Sequence, residues 1–270
     1  MRKEWRFGRP QRILYSFEIM NSYQKKMVKV MKDLCGKRSM YDVFFDFTKM
    51  SACSISNVFD KVHFEEREKL YKSIQEKYTE EEQEKFHELF ALLVEALEET
   101  STDILGELYM ALEIANKDAG QFFTPYNVAH LMAKMNFNEK DEQLKNGQPV
   151  VFYDPCIGGG VTLIALANIM REKGYNYQRN LRALCGDIDG NVLSMAYVQC
   201  SLLGIDAIFE RKNALSNEPA TDVWFTPFYA LNRAKEKETK NTLEILKEAM
   251  ELLENKTISS FAEPEQLSLF

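Results

Sequence analysis

The sequence predicts an α/β fold, a sheet of parallel strands joined by helices, preceded by an all-helical N-terminal domain. Three observations carry this. From residue 150 onward "VVFYDPCIGGGVTLIALANIM" reads as strand, glycine turn and helix, and "LRALCGDIDGNVLSMAYVQCSLLGI" repeats the same order. Strands alternating with helices form parallel sheets through right-handed crossovers. The first 118 residues, by contrast, carry helical periodicity. A composition of 45% hydrophobic and 28% charged residues suits a globular chain able to bury a substantial core.

Taken in order, residues 1–118 form the helical domain and open with a basic arm. Arg2, Lys3, Arg6, Arg9, Arg12, Lys25, Lys26, Lys29 and Lys32 face only Glu4 and Glu18. Residues 1–32 therefore hold +7, and the remainder −14, of a net −7. Such an arm on an acidic body either touches phosphates or solvates a helix face. "KFHELFALLVEALEE" (85–99) places Phe86, Leu89, Phe90, Leu93, Val94 and Leu97 on one stripe. Thr79 with Glu82 ahead of it is a capping-box pattern. A second helix is expected over 103–116, after Ser101 and Thr102. Nothing in this block points to chemistry, and His63 and His87 read as surface or packing residues.

Residues 119–230 form the α/β core. "AGQFFTPYNVAHLMAKM" (119–135) is a loop followed by a helix expected to turn Val128, Leu131, Met132 and Met135 inward. The two strand-turn-helix units come next, then "DAIFERKNALS" as a third strand and turn, and "DVWF" (222–225) as a fourth strand. A charged amphipathic helix is expected within 231–256, and 257–270 is a polar, flexible tail. The five cysteines are odd in number and dispersed, with no C-x-x-C pair. That argues against a disulfide framework or structural zinc and fits a reducing cytoplasm. No signal peptide, membrane span or metal site is expected.

The turn Asp154-Pro155-Cys156-Ile157-Gly158-Gly159-Gly160 carries the first functional signal. Glycines let a ligand approach the backbone, and the following helix start offers unpaired N–H groups. The acid at its head repels a pyrophosphate and suits a cation. A second acid, Asp187, ends the next strand, where a carboxylate can bind ribose hydroxyls. Together they select a positively charged nucleoside without phosphate, a description that S-adenosylmethionine meets.

Residues 103–218 resemble the adenine-N6 DNA methyltransferases of the type I restriction-modification methylation-subunit family, particularly compact members carried by phages and mobile elements. The matching segments are "GQFFTPYNVAHLMAKM", "DPCIGGGVTLIA", "GDIDGNVLSMAYVQCSLLGI" and "KNAL", in the family's order. The resemblance implies a Rossmann-like S-adenosylmethionine-dependent methyltransferase fold, here with fewer strands than usual. It implies that Phe123, Thr124 and Pro125 line the methionine end of the cofactor and that Asp154 holds its ammonium. Pro155, Gly158 and Gly160 shape the turn around the ligand. Asp187 takes the ribose hydroxyls, with Ile188 beside it, and Asn213 meets the adenine edge. Asp189 reads as a helix cap, and Ile157, where the family often has Cys, as packing below the turn.

The family's fourth strand ends in Asn-Pro-Pro-Phe, whose first two residues accept the hydrogens of the flipped adenine amine while the aromatic stacks on the base. Here the positions read Phe225-Thr226-Pro227-Phe228. Thr226, Pro227 and Phe228 are therefore the candidate catalytic residues, in a degenerate motif without the Asn. The tail residues Gln266, Leu267, Leu269 and Phe270 resemble the pentapeptide by which bacterial proteins dock on the DNA-polymerase sliding clamp, as a hot-spot anchor on a leash. Three readings remain open: a clamp-recruited DNA methyltransferase in a bacterial cytoplasm, an inactive homologue serving as a scaffold or anti-restriction factor, or one subunit of a larger methyltransferase. DNA, the clamp and a second methyltransferase subunit are the expected partners.

Overall fold

The computed structural model describes residues 20–36, 38–112, 123–139, 142–216 and 218–260. Among the described residues five helices come first: α1 (Ser22–Cys35), α2 (Met40–Asn57), α3 (Phe64–Gln75), α4 (Glu80–Glu99) and α5 (Ile104–Ala111). The capping box expected at Thr79 is present: its side chain accepts from the Glu82 N–H, and Glu82 accepts from the Thr79 N–H. The apolar stripe of α4 buries Phe86, Leu89, Leu93 and Leu97, because residues three and four apart share one helix face.

The α/β part follows as α6 (Tyr126–Asn136), α7 (Glu142–Lys145), β1 (Val150–Asp154), α8 (Val161–Glu172), α9 (Tyr177–Asn180), β2 (Leu181–Asp187), α10 (Gly190–Leu202), β3 (Ala207–Arg211), β4 (Asp222–Phe225) and the start of α11 (Pro227–Ser260). Contacts divide the chain after Tyr229. The second unit, as far as Ser260, is the body of α11, a charged helix. No helix among the described residues is long and apolar enough to cross a membrane.

The boundary expected at residue 118 does not separate two cores. Met27, Phe44, Leu89 and Leu105 belong to one buried cluster with Leu163, Tyr197 and Phe209. Helix α10 packs on α2, where the Thr48 and Ser194 hydroxyls meet at 2.8 Å.

The sheet has the order β1-β2-β3-β4. β1, β2 and β3 are parallel, as the alternation of strands and helices predicts. β4 is a correction: it pairs antiparallel with β3, with Phe225 opposite Ile208 and Asp222 opposite Arg211. A parallel return needs a crossover, usually helical, whereas the described residues among 212–221 hold only turns and irregular chain. The strand therefore comes straight back. It is anchored from the helical layer by Arg67, whose guanidinium donates to the Val223 carbonyl at 2.6 Å and lies 4.0 Å from the Trp224 ring centroid. Asp60 holds the same guanidinium at 2.7 Å.

Helix α6 is a second correction. Val128, Leu131, Met132 and Met135 are exposed, at 47, 57, 48 and 77% of their surface. The inward residue is Ala129, which packs with Val161 and Ala165 of α8. Two small faces allow close helix approach, and this leaves the larger side chains outside.

Candidate functional site

Asp154 and Asp187 end the neighbouring parallel strands β1 and β2, and the glycine turn bridges them. Within the turn the Cys156 N–H donates to Asp154 Oδ1 at 3.0 Å, and the Thr162 hydroxyl donates to Oδ2 at 2.8 Å. The Ile157 N–H donates to the Gly186 carbonyl at 2.8 Å, tying the turn to β2. The Gly158 N–H then donates to Asp187 Oδ2, and the Asp189 N–H to Oδ1, both at 2.9 Å. Ile157 is buried below the turn, and Asp189 caps α10 by accepting from the Asn191 N–H. Both match the sequence expectation.

Glycine is required at two positions here. Gly158 has φ +55° and Gly160 φ +98°, a region costly for any residue with a Cβ. At Gly160 a Cβ would also lie 3.2 Å from Cα and Cβ of Ala196 in α10. At Gly158 it would lie 3.4 Å from the Phe123 ring, so Phe123 covers the turn, its own ring 4.8 Å from that of Tyr109. Pro155 lies over β2, its carbonyl oxygen 3.4 Å from where a Gly186 Cβ would stand.

Burial raises the carboxyl pKa of Asp187, and the donating N–H groups of Asp189 and Gly158 pull it back only in part. A carboxylate has about four lone-pair sites. With one backbone N–H on each oxygen, Asp187 retains acceptor capacity on both for a pair of hydroxyls.

The remaining expected ligand residues lie around this centre in separate cavities. Phe123, Thr124 and Pro125 line one of about 330 Å³ with Asp103, Glu107 and Tyr126. Asp154 lines a groove of about 340 Å³ between α6 and β1. Ile188 and Asn213 share a third, of about 300 Å³, with Arg211 and Lys212. Asn213 is exposed and accepts from the Leu215 N–H at 3.0 Å. The Lys212 N–H donates to the Asp187 carbonyl at 2.9 Å, which holds that corner to the strand end.

The candidate catalytic residues are not brought to this site. Because β4 runs antiparallel, Thr226, Pro227 and Phe228 emerge beside the start of β3. Thr226 is fully buried; its hydroxyl accepts from the Ala207 N–H at 3.0 Å and donates to the Ile205 carbonyl at 2.7 Å. Phe228 lies against Gly204, where an added Cβ would stand 2.9 Å from the ring. Ala207 pairs with Ala183 of β2, four residues before Asp187, or about 13 Å along the strand. The expected tail anchors Gln266, Leu267, Leu269 and Phe270 lie outside the described residues.

Two residues escaped the sequence reading, Asp103 and Gln199. Asp103 is buried beneath the turn, and burial pushes its carboxyl up to about 6. Its Oδ1 accepts from the Gly106 N–H at 3.0 Å and from Gln199 Nε2 at 2.9 Å. Gln199 Nε2 also donates to the Gly159 carbonyl at 3.1 Å, and its Oε1 accepts from the Leu105 N–H at 2.9 Å. The pair thus fastens the start of α5 to the glycine turn. Asp-x-x-Gly at a helix start was the legible signal: a Cβ at Gly106 would stand 2.0 Å from Asp103 Oδ2. Nothing local marks Gln199, a mid-helix residue.

The family model described as N-6 DNA methylase matches residues 100–240, more than half the chain. The chain belongs to the N-6 DNA methylase family. Two solved structures are similar to this N-6 DNA methylase family member. One, from Listeria monocytogenes, is assigned to the class I S-adenosylmethionine-dependent methyltransferases; it is 15% identical, with a TM-score of 0.41, over 74% of this chain and 57% of that one. The other is the type I restriction-modification system methyltransferase subunit from Streptococcus thermophilus, 14% identical, with a TM-score of 0.38, over 74% of this chain and 60% of that one. The chain thus spans somewhat under two thirds of the length of either. No curated protein matches it.

Proposed function

We propose that this N-6 DNA methylase family member binds S-adenosylmethionine across the glycine turn and serves adenine-N6 methylation of DNA as one part of a larger assembly. One observation carries the cofactor reading: the Asp187 carboxylate is held between the N–H groups of Gly158 and Asp189 at 2.9 Å, with lone pairs left for hydroxyls. The donor set fits the ligand. Two strand-end acids suit a cation, and Phe123 supplies an apolar wall. Bound there, the cofactor supplies the methyl group. Asp187 orients the ribose, Asp154 faces the ammonium, and Ile188 and Asn213 border the base.

The acceptor side is what makes this chain a part rather than the whole. Thr226 is committed to backbone hydrogen bonds, and Phe228 packs at the opposite strand end. Neither is free to receive a flipped adenine beside the turn. Binding of the cofactor without transfer by the chain alone is therefore the expected behaviour. The tail Gln266–Phe270 is proposed to tether the protein to a bacterial sliding clamp, which raises the local DNA concentration without specific contacts and places it in the cytoplasm.

Titration calorimetry with S-adenosylmethionine tests the reading. Saturable binding is expected, with Asp187→Ala weakening it on the order of 100-fold, the scale of two lost charge-assisted hydrogen bonds. Equal affinity in the variant refutes the ribose assignment. Labelled methyl appearing on DNA from the isolated chain, and suppressed by Phe228→Ala, refutes the partial-assembly reading and restores an autonomous enzyme.

A further inference from the structure

We infer that the outer edge of β1, with the groove between it and α6, receives a parallel β-strand from a second, non-identical polypeptide. The two edges of the sheet differ sharply. The β4 edge is engaged, its Val223 carbonyl accepting from Arg67. Among the described residues no strand pairs with the outer edge of β1. Exposed edges are normally blunted by charged side chains, Pro, bulges or a covering element. β1 reads Val-Val-Phe-Tyr-Asp, so its one charge stands at its carboxyl end and the four residues before it carry none.

The surface beside that edge is apolar. Val151 and Tyr153 are 69% and 66% exposed. On α6, Met132 is 48% exposed and shares the groove-facing side with Ala129, Ala133 and Asn136. Met132 and Tyr153 line the same groove of about 340 Å³, floored by Phe152, Ala133 and Leu166. An added strand would set alternate side chains into the groove and against Val151 and Tyr153, the usual form of strand addition.

Sheet order sets the direction and the kind of partner. Ligands in open α/β sheets bind where strand order reverses, outside the strand carboxyl ends. The order β1-β2-β3-β4 never reverses. A parallel strand on the free edge of β1 creates the reversal beside Asp154. A second copy does not, because two-fold-related copies pair their β1 strands antiparallel, and copies of net charge −7 repel one another. The docking site stands on the edge and the groove beside it; only its placement beside the methyl donor rests on the cofactor reading.

The test uses the full chain without cofactor. The probe is a lysine-flanked peptide of five β-branched and aromatic residues, N-methylated at alternate amides so that one edge alone can pair, and spin-labelled at its C-terminus. Saturable binding is expected, with slowed hydrogen exchange confined to β1 and α6 and relaxation broadening at Gly158 rather than Gln148. Val151→Lys and Tyr153→Lys, both at exposed positions, should each weaken binding at least tenfold; Met132→Lys on α6 repeats the test should either fail to fold. Absent binding, protection elsewhere, broadening at Gln148, or lysine variants without effect would overturn the proposal. So would self-association through β1 in sedimentation equilibrium. S-adenosylmethionine titration is a separate measurement, so failure of one reading is distinguishable from failure of the other.

Discussion

Replacing Asp103 by Asn changes the pH dependence of stability with a sign that the structure dictates. The carboxyl is buried and pushed from its ordinary 3.8 to about 6, chiefly by desolvation. A carboxyl whose folded pKa lies above its unfolded one favours the folded state most strongly when protonated. That stability is fully present below pH 3.8 and is lost as pH rises through about 6. The fraction lost between pH 4.5 and 7 is about 2 kcal/mol, from linkage between the two pKa values at 1.36 kcal/mol per pH unit. Asn cannot ionise and loses nothing over this range, though it disturbs the Gln199 contact equally at every pH. Urea denaturation of both proteins at pH 4.5, 5.5, 6.5 and 7.5 should show Asp103→Asn gaining about 2 kcal/mol on the parent across the series. The same comparison cancels Asp187, whose burial raises its carboxyl in both proteins. A pH-independent difference would mean that Asp103 is not desolvated beneath the turn.

Two further outcomes separate structural from functional roles. Thr226→Val leaves the Ala207 N–H without its acceptor in a fully buried site; thermal or urea unfolding should report a loss of about 1–3 kcal/mol at unchanged cofactor affinity, and the reverse pattern would return Thr226 to the active site. Deleting Gln266–Phe270 should abolish co-elution with a bacterial sliding clamp in size-exclusion chromatography, whereas co-elution that persists removes the tail as the contact.

Much of the fold was legible because its signals are local. The Thr79–Glu82 capping box, the stripe of α4, the three parallel strands and Asp189 as a cap all follow from residues a few positions apart. The turn was legible as well, since a glycine run between a strand and a helix has few other uses. Two expectations failed where the outcome depended on neighbours distant in sequence. α6 shows apolar periodicity on the face holding Val128, Leu131, Met132 and Met135, yet it buries Ala129, because α8 presents Val161 and Ala165 to it. Motif order suggested that "DVWF" leads into the catalytic position, but strand direction was settled by a connection whose described residues hold no helix and by Arg67.

The sequence by itself determined the α/β class, the family, the glycine turn and the two acids at its edges, because each is written in contiguous residues whose backbone preferences need no partner. Only the tertiary structure decided which groups meet: Asp103 and Gln199 beneath the turn, Thr226 at the far end of the sheet, and β1 with an outer edge that no described strand pairs. Pairing between strands and burial against a particular helix depend on surfaces that approach one another only when the chain is folded. Side chains 96 positions apart, as Asp103 and Gln199 are, leave no trace of that meeting in local pattern.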